Sequence, residues 1–401
     1  MRAEYDVVII GAGPIGGYLA KKLNEFGHSV LLIEEHDEIG RPFQCAGLIN
    51  PMAMEKVELR ETVQTTIWGA NIHSPNGTVV RVGAPHVDRT YSVCRKLFDE
   101  AVVRQSIASG SDIFLSSKPV SATIENEYCI IDIEGPSGYS EIKCKLICGA
   151  DGAHSWVRRQ FRMGKPTETI IGFQIEVTGY HNRDGTLDMY TGKSISPGFF
   201  SWAIPSGETT RIGTWTKPEL MDGVSSEEFL KNLMLNSKFR HKFENCVEIG
   251  RYCGPVPSGI VRFPLKERVA LFGDAAGICK PTTGGGIGPG FKQVDILVPI
   301  LSKSLTENNL STNRMKKIST SLDGMRKDQR RKRALRDAFL TEMDDHELEE
   351  IFSVWARPEV TDLINEVGDI ENPIPLGIKM LREVPEFRRL AGRAVKAVLW
   401  G

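Results

Sequence analysis

The chain opens with the segment Val7-Val8-Ile9-Ile10-Gly11-Ala12-Gly13-Pro14-Ile15-Gly16. Its four leading apolar residues predict a buried parallel strand, and its glycines follow in the spacing GxGxxG. Gly11 permits a tight turn, Gly13 lets the backbone approach a pyrophosphate, and Gly16 lets the next helix pack against the strand. The positive end of that helix, which begins at Pro14, would then face the phosphates. The alternative is a glycine-rich turn without a ligand.

The residues after the motif complete a βαβ unit. Apolar residues at helical spacing predict a helix over 15–26, which Gly27 ends, and residues 29–33 predict a second buried strand. Glu34 follows this strand at the spacing expected for a carboxylate that binds a ribose diol. Strand, helix and acid together favour a dinucleotide-binding site.

The middle of the chain changes to a period of two. Apolar and polar residues alternate over 171–178, which predicts a half-exposed antiparallel strand. Its expected partners are 187–190, 199–204 and 210–215. A helix over 95–109, a hairpin over 129–148 and a buried strand over 269–272 belong with the first unit, and the chain beyond residue 300 is mainly helical.

The predicted fold class is α/β, with a Rossmann-type cofactor domain, a second domain built on an antiparallel sheet, and a helical C-terminal region. The expected boundaries are 1–60, 88–160 and 262–300 for the first, 61–87 and 161–261 for the second, and 301–401 for the third.

Composition excludes several classes of protein. The 401 residues carry a formal net charge of -1, so no basic field is available to gather nucleic acid. The eight cysteines form no CxxC pair and have no metal-ligand spacing, which predicts free thiols in the cytoplasm and no metal. No apolar run is long enough to span a bilayer.

Two further segments resemble flavoproteins of the para-hydroxybenzoate hydroxylase fold. Residues 147–159 resemble their GADGxxSxVR motif, and residues 271–277 resemble their GDAA motif. The resemblance implies that FAD is the cofactor and that Asp274 binds its ribityl chain, although Asp274 alone would read as a helix N-cap. It also implies an FAD contact for Arg95, which alone would read as a solvated helix residue. The other cofactor residues in these motifs are Asp151, Gly152 and Gly273.

Three segments resemble the geranylgeranyl reductase family. Residues 40–47 are similar to its G-x-P-x-x-C-G/A segment, 197–205 to its PGGYxWxFP strand, and 274–287 to its GDAAxxxxPxTGGGI run. The likeness covers about the first 300 residues. It departs where Ala46-Gly47-Leu48 replaces GEG and where Phe200 and Ile204 replace Tyr and Phe, which leaves the exact lipid open. The residues that it places beside FAD are Cys45, Ala46, Gly47, Gly284, Gly285, Gly286 and Ile287.

The resemblance implies reduction of carbon–carbon double bonds in isoprenoid lipids by hydride from reduced flavin. An isolated alkene resists hydride attack, so a proton must reach its other carbon. A greasy substrate also needs a long apolar tunnel. Taken alone, each apolar candidate of the middle sheet is better explained as part of a domain core. The candidates are Phe173, Ile175, Phe199, Trp202, Ile204 and Pro281.

Cys45 is the candidate catalytic residue beside the flavin. Its thiol could donate a proton, although the reference pKa of about 8.5 makes it a poor acid. It could instead shape the flavin face or have no role, because free cysteines are commonly buried. His154 lies inside the Asp151-Gly152 motif and is expected to be structural.

The sequence contains no second GxGxxG motif and therefore predicts no separate domain for a nicotinamide cofactor. Electrons would come from NAD(P)H docking transiently or from a ferredoxin-like carrier. Residues 326–336 carry seven basic side chains, and 388–400 is amphipathic, which predicts weak contact with the inner face of an anionic membrane. A solvated helix face is the alternative.

Two other functions remain open at this stage. One is a flavin monooxygenase or halogenase of the same fold, because residues 200–205 partly match a halogenase WxWxIP motif whose first Trp is absent. The other is a flavin-bearing electron-transfer subunit.

Overall fold

The computed structural model describes residues 4–42, 45–181, 184–368 and 374–390. Its strands are β1 (Glu4–Ile10), β2 (Val30–Ile33), β3 (Leu48–Ile49), β4 (Val63–Ile67), β5 (Gly69–His73), β6 (Val79–Gly83), β7 (Thr90–Val93), β8 (Asp112–Phe114), β9 (Lys118–Ile124), β10 (Cys129–Gly135), β11 (Gly138–Gly149), β12 (Glu168–Thr178), β13 (Thr186–Tyr190), β14 (Ser201–Ser206), β15 (Thr209–Thr216), β16 (Val247–Ser258), β17 (Leu265–Lys266) and β18 (Val269–Leu271). Its α-helices are α1 (Pro14–Glu25), α2 (Pro51–Val57), α3 (Arg95–Ala108), α4 (Trp156–Gln160), α5 (Ser226–Lys231), α6 (Ile287–Thr306), α7 (Thr312–Ser319), α8 (Asp323–Arg336), α9 (Asp345–Trp355), α10 (Pro358–Val367) and α11 (Ile374–Glu383).

The first sheet has eight strands and a parallel centre. Its main order is β17-β18-β11-β1-β2-β8, and the hairpin partners β10 and β9 extend it from β11. Every residue of β2 is buried, as expected for a strand covered by helices on both faces. Helix α1 connects β1 to β2, which confirms the predicted βαβ unit. The hairpin and the buried strand after residue 268 are confirmed as well.

The second sheet has seven strands in the order β16-β12-β15-β14-β13-β5-β6. The four strands predicted between residues 171 and 215 are present as β12 to β15, and those that pair with one another are antiparallel. Of the three expected partners of β12, only β15 pairs with it directly, and β14 and β13 follow β15 in the sheet. Strands β5, β6 and β16 complete the sheet, and β13 pairs with β5 in parallel. A small third sheet has the strand order β3-β7-β4. The predicted α/β class with a mainly antiparallel second sheet is confirmed.

The register of the second sheet defines two faces. Phe173 lies opposite Thr214, and Ile175 opposite Ile212; these side chains pack under the helical segment that begins with α5. Gln174 lies opposite Trp202 across β15 and points to the other face. Gln174 is only 5% exposed, so the prediction of a half-exposed strand is wrong at this point. Both faces of β12 are covered, the second by the chain segments around residue 46.

A buried polar network lies on the helix-covered face. The carboxylate of Asp188 accepts hydrogen bonds from the Tyr180 hydroxyl at 2.6 Å and from Lys242 Nζ at 3.2 Å, and it lies 2.8 Å from His73 Nε2. Burial opposes ionisation of Asp188, but the hydrogen bonds with His73 and Tyr180 and the charge of Lys242 outweigh it and lower the pKa. The ionised carboxylate therefore stabilises the folded state.

We expect Asp188→Asn to lower the free energy of unfolding by about 1–3 kcal/mol at pH 7. The folded pKa of Asp188 lies below its unfolded value, so the stabilisation is present above about pH 4 and is lost as the pH falls further. The difference between wild type and variant should therefore shrink in acid. Urea unfolding at pH 7 and near pH 3 measures it, and a difference that grows in acid would contradict the assignment.

Helices α9 and α10 pack on the edge of the second sheet. Leu348 and Phe352 of α9 form a cluster with Val80 of β6, and the Gly83 amide donates to Asn365 Oδ1 at 2.8 Å. None of the helices in the described part of the chain combines the length and apolar character needed to cross a bilayer.

Candidate cofactor site and substrate cavity

The glycine turn between β1 and α1 is tightly constrained on one side and open on the other. Gly11 has a φ of +98°, and a Cβ there would lie 2.5 Å from the Ala150 carbonyl oxygen. A Cβ at Gly16 would lie 2.0 Å from the Gly11 carbonyl oxygen. A Cβ at Gly13 would meet no described atom within 4 Å. The open side lies where Pro14 begins α1, so the turn fits a bound pyrophosphate.

Glu34 lies beside this turn at the end of β2. One carboxylate oxygen accepts the Ala12 amide at 2.9 Å, and the other accepts the His36 amide at 3.1 Å and lies 2.6 Å from His36 Nδ1. The side chain is 13% exposed. Because each carboxylate oxygen can accept two hydrogen bonds and Oε1 already has two partners, Oε2 keeps one position for a ribose hydroxyl.

Glu34→Gln should weaken FAD binding by about 10-fold, the loss expected for one charge-assisted hydrogen bond. Titration of the FAD-free protein with FAD, followed by flavin fluorescence, measures the change. His36→Ala is the control, because it leaves the carboxylate in place. An unchanged affinity in Glu34→Gln would exclude Glu34 from the ribose site.

The Asp151-Gly152 turn follows β11. Asp151 Oδ2 accepts the Val157 amide at 3.0 Å, whereas Oδ1 is buried without a hydrogen-bond partner among the described residues. Burial raises the pKa of Asp151. Gly152 has a φ of +69° and open space at its Cβ position. His154 is exposed in the same turn, and its structural role stays a prediction.

Asp274 lies in a short turn of 3-10 helix, Gly273–Ala276, whose N-cap is Phe272. The prediction that Asp274 serves as a helix N-cap as well as an FAD ligand is therefore wrong in its first part. Its Oδ1 accepts the Cys279 thiol at 3.0 Å, and a Cβ at Gly286 would approach that oxygen to 2.7 Å. Burial raises the pKa of the Asp274 carboxyl.

The glycine run Gly284 to Gly286, which precedes α6, lies next to Asp274. The hydroxyls of Thr282 and Thr283 are buried and have no hydrogen-bond partner among the described residues. Gly284 has a φ of +69°, and a Cβ there would lie 2.9 Å from the Trp215 ring. Gly285 and Gly286 lead directly to Ile287, the first residue of the 20-residue helix α6. These unpaired hydroxyls and the helix N-terminus fit a polar ligand.

Arg95 is not a solvated residue. It begins α3, is 16% exposed, and donates from Nε and Nη2 to the Asp99 carboxylate at 2.9 and 2.8 Å. Burial alone would lower the pKa of Arg95, but the charges and hydrogen bonds of Asp99 and Cys45 raise it above its ordinary value. Arg95 also interacts electrostatically with Asp274. The structure thus brings three predicted site residues, Arg95, Cys45 and Asp274, together.

A cavity of about 310 Å³, including its open mouth, lies between the second sheet and the segment around Cys45. The rings of Trp202 and Trp215 form one wall, with centroids 4.8 Å apart. The lining residues are Cys45, Ala46, Gly172, Gln174, Trp202, Trp215, Tyr252, Cys253, Gly254 and Val256.

The predicted cavity residues divide between the two faces of the sheet. Trp202 lines the cavity, and Phe199 and Ile204 pack behind it in the same cluster. The prediction for Phe173 and Ile175 is corrected, because strand alternation places both on the helix-covered face. Pro281 does not line the cavity; its carbonyl accepts Arg336 Nη1 at 2.9 Å.

Three functional candidates were missed by the sequence analysis. Arg211 of β15 donates from Nη1 to the carbonyls of Ala46 at 2.8 Å and Val93 at 3.0 Å, so it holds Ala46 and Gly47 against the sheet. Gln174 and Tyr252 supply polar groups to the cavity. No local sequence pattern reveals that an arginine within a strand, such as Arg211, is buried and holds another segment.

The basic segment 326–336 points largely inward. Arg326 donates to the carbonyls of Ile260 and Val261, and Arg333 to Glu168. Only part of this segment, including Lys327 and Arg330, is exposed, and its contact with a membrane stays a prediction. The other predicted membrane segment, 388–400, lies outside the described residues except for the backbone of 388–390.

The fold and the site define a flavoprotein, since the glycine turn, Glu34 and the two motifs fit FAD in arrangement and chemistry. Residues 4–312 match the family described as FAD binding domain. The chain belongs to this class of FAD-dependent oxidoreductases, and within it to the digeranylgeranylglycerophospholipid reductase family. The relative from Methanosarcina acetivorans with that name is 31% identical over 310 residues, which cover 72% of each chain. Digeranylgeranylglycerophospholipid reductase 3 of Methanosphaera stadtmanae is 27% identical over 376 residues, covering 90% of this chain and 93% of the relative.

Solved structures show the same fold. A geranylgeranyl bacteriochlorophyll reductase-like protein from Thermoplasma acidophilum superposes with a TM-score of 0.85 at 20% identity, covering 96% of this chain and 99% of the other. A flavin-dependent brominase superposes with a TM-score of 0.74 at 17% identity, covering 96% and 99%. The fold is therefore shared by reductases and halogenases, and the site must separate the two activities.

Proposed function

We propose that this protein saturates carbon–carbon double bonds in the geranylgeranyl chains of isoprenoid lipids. The observation that carries the proposal is the cavity, in which an apolar wall of Trp202 and Trp215 meets Cys45 and the glycine run at Gly284. The names of the relatives agree with it. When bound and reduced, FAD supplies the hydride.

The residues of the chain would bind FAD, orient the prenyl chain and exclude water from the alkene. The ADP end of FAD would be held by Gly13, Glu34 and Asp151. The flavin end would be held by Asp274 and residues 282–287. Trp202 and Trp215 would pack on the prenyl chain and keep water from the alkene. The cavity is small and partly open to solvent, so one part of the prenyl chain at a time would occupy it.

An anaerobic single-turnover experiment tests the proposal. The purified flavoprotein is reduced with dithionite, mixed with a geranylgeranyl ether lipid, and the product mass is followed. Stepwise gain of hydrogen pairs is expected. Absence of any gain, with the flavin confirmed bound and reduced, would overturn the proposal for this substrate; oxygen-dependent hydroxylation or halogenation would instead favour the monooxygenase and halogenase alternative.

Cys45→Ser should slow alkene reduction if the thiol touches the reacting carbons. The Sγ atom accepts the Gly47 amide at 3.4 Å and interacts with the Arg95 guanidinium, and these contacts support a position on the flavin side of the cavity. We expect a decrease of about 10-fold, which is below the contribution of a general acid and fits a thiol that shapes the flavin side of the cavity. Cys246→Ser, a half-buried cysteine outside the cavity lining, is the matched control. Full activity in Cys45→Ser would exclude an essential acid role.

The electron donor and the location remain parts of the proposal. NAD(P)H or a ferredoxin-like carrier would reduce the flavin, and steady-state turnover with each donor separates them. We also propose weak contact with the cytoplasmic face of an anionic membrane, supported by the exposed Lys327 and Arg330 and by the lipid substrate. Failure to float with anionic vesicles would remove this part.

A further inference from the structure

A polar strip crosses the apolar wall of the cavity. Gln174 is 5% exposed, and its Oε1 accepts the Trp202 indole N–H at 3.1 Å. Its Nε2 is buried and forms no well-aligned hydrogen bond to any described residue. The same amide acts on the neighbouring Tyr252 hydroxyl, where its hydrogen bond opposes the rise in the phenol pKa, so it is already in place to donate to a phenolate.

Tyr252 lies next to Gln174 across the β12–β16 ladder and lines the cavity. Its hydroxyl donates to Glu176 Oε2 at 3.2 Å. Burial and the neighbouring charge of Glu176 raise the pKa of the phenol to about 12, against the opposing effects of Arg211 and Gln174. The phenol consequently keeps its proton at physiological pH. Arg211 and Gln174 are the two groups that would stabilise the phenolate.

Glu176 connects this phenol to the surface. Its other oxygen, Oε1, accepts the Thr209 hydroxyl at 2.6 Å. Thr209 directly follows the exposed residues 207–208 of the β14–β15 turn. A hydrogen-bonded chain therefore runs from solvent through Thr209 and Glu176 to the Tyr252 hydroxyl in the cavity.

We propose that Tyr252 is the catalytic proton donor for alkene reduction and that Glu176 and Gln174 position it. This inference rests on the proposed function. The hydride supplied by reduced FAD forms a C–H bond to one alkene carbon, and the Tyr252 hydroxyl proton forms a C–H bond to the other. The π bond and the phenolic O–H bond are lost, and the flavin is oxidised by two electrons. Gln174 Nε2 then donates to the phenolate, which regains a proton from water through Glu176.

The test compares Tyr252→Phe with wild type, Cys45→Ser and Tyr139→Phe. Tyr139 is 75% exposed and serves as the matched control. After anaerobic reduction with dithionite, the rate of flavin oxidation on addition of the geranylgeranyl ether lipid is measured together with product mass. We expect Tyr252→Phe to be slower by about 100-fold, with FAD content and dithionite reduction unchanged. Tyr139→Phe should match wild type.

Two further readouts separate catalysis from structure. Alkaline absorbance titration of FAD-free wild type and Tyr252→Phe should differ by one phenolate with a pKa near 12. Replacing Tyr252 with a fluorinated tyrosine of lower pKa should shift the alkaline limb of the rate profile to lower pH. If Tyr252→Phe fails to fold, Glu176→Gln provides the test, because it should slow repeated turnovers more than the first.

The outcomes are distinct. Reduction by wild type at a rate unchanged in Tyr252→Phe would overturn this inference and leave the proposed function standing. No reduction by wild type would overturn both. A slow Tyr252→Phe whose fluorinated counterpart shows no shift in the alkaline limb would assign a structural role and overturn the proton-donor assignment.

Discussion

Replacing Gly16 with alanine should abolish stable retention of FAD and lower the free energy of unfolding by about 3 kcal/mol, at the upper end of overpacking costs. The added Cβ would lie 2.0 Å from the Gly11 carbonyl oxygen and 3.1 Å from its carbon. Both contacts are with backbone, so no side-chain rotation relieves them. The turn must open, and its amides then no longer face the pyrophosphate. Flavin content after purification and urea unfolding of the FAD-free protein measure the two effects.

Two alanine substitutions serve as controls for Gly16. Gly324 also lies in a helix, and a Cβ there meets nothing within 4 Å, so Gly324→Ala should leave both measurements unchanged or raise stability slightly. Gly13→Ala has open space in the protein but faces the expected cofactor, so it should weaken FAD binding without loss of stability. Wild-type stability in Gly16→Ala would show that the turn adapts and would contradict the prediction.

Arg336→Met should destabilise the protein by about 3–5 kcal/mol, the usual cost of breaking a buried ion pair. The Arg336 side chain is 1% exposed and donates to both oxygens of Glu168, at 2.9 and 2.8 Å, and to Asp337. Burial alone would raise the pKa of the Glu168 carboxyl, but Arg336 and Arg333 hold it below the ordinary value. Removing Arg336 leaves this carboxylate with Arg333 alone, so the lower end of the range is expected.

The substitution should also affect the FAD site, because Arg336 donates to the carbonyl of Pro281, which precedes the glycine run. We expect weaker FAD binding in Arg336→Met, measured beside urea unfolding. Arg330→Met, on the exposed side of the same helix, is the matched control. Adding Glu168→Gln to Arg336→Met should restore part of the stability, because it removes the unpaired charge. A loss no greater than in Arg330→Met would contradict the network.

The cofactor half of the molecule was largely predictable because its determinants are local. The strand, glycines and helix from Val7 to Gly16 are contiguous, and Glu34 follows at a fixed distance imposed by the βαβ unit. The motifs at Asp151 and Asp274 are also short segments whose conformation depends on their own glycines. The structure brings Asp274 close to Arg95 and Cys45, in line with the resemblance.

The substrate half was less predictable because its face assignments depend on what packs against the sheet. Alternation in β12 gives two sets of side chains but does not say which set meets the cavity. Phe173 and Ile175 were placed on the wrong side, while Gln174 was expected in solvent. Tyr252 was missed because β16 contains Gly250, Gly254 and prolines that hide its strand pattern. Arg211 acts only through contacts distant in sequence.

Gln329 has a consequence for any attempt to shorten or recombine this protein. It lies in α8, beyond residue 312 where the match to the FAD-binding family ends. Its amide nitrogen nevertheless donates to the carbonyls of Gly277 and Cys279, at 3.0 and 3.1 Å, and its oxygen accepts the Ile260 amide at 3.0 Å. The flavin-side loop is thus tied to a helix outside the recognisable module. Chimaeras cut at the family boundary would inherit a loop without its tether, so a functional exchange unit has to extend through α8.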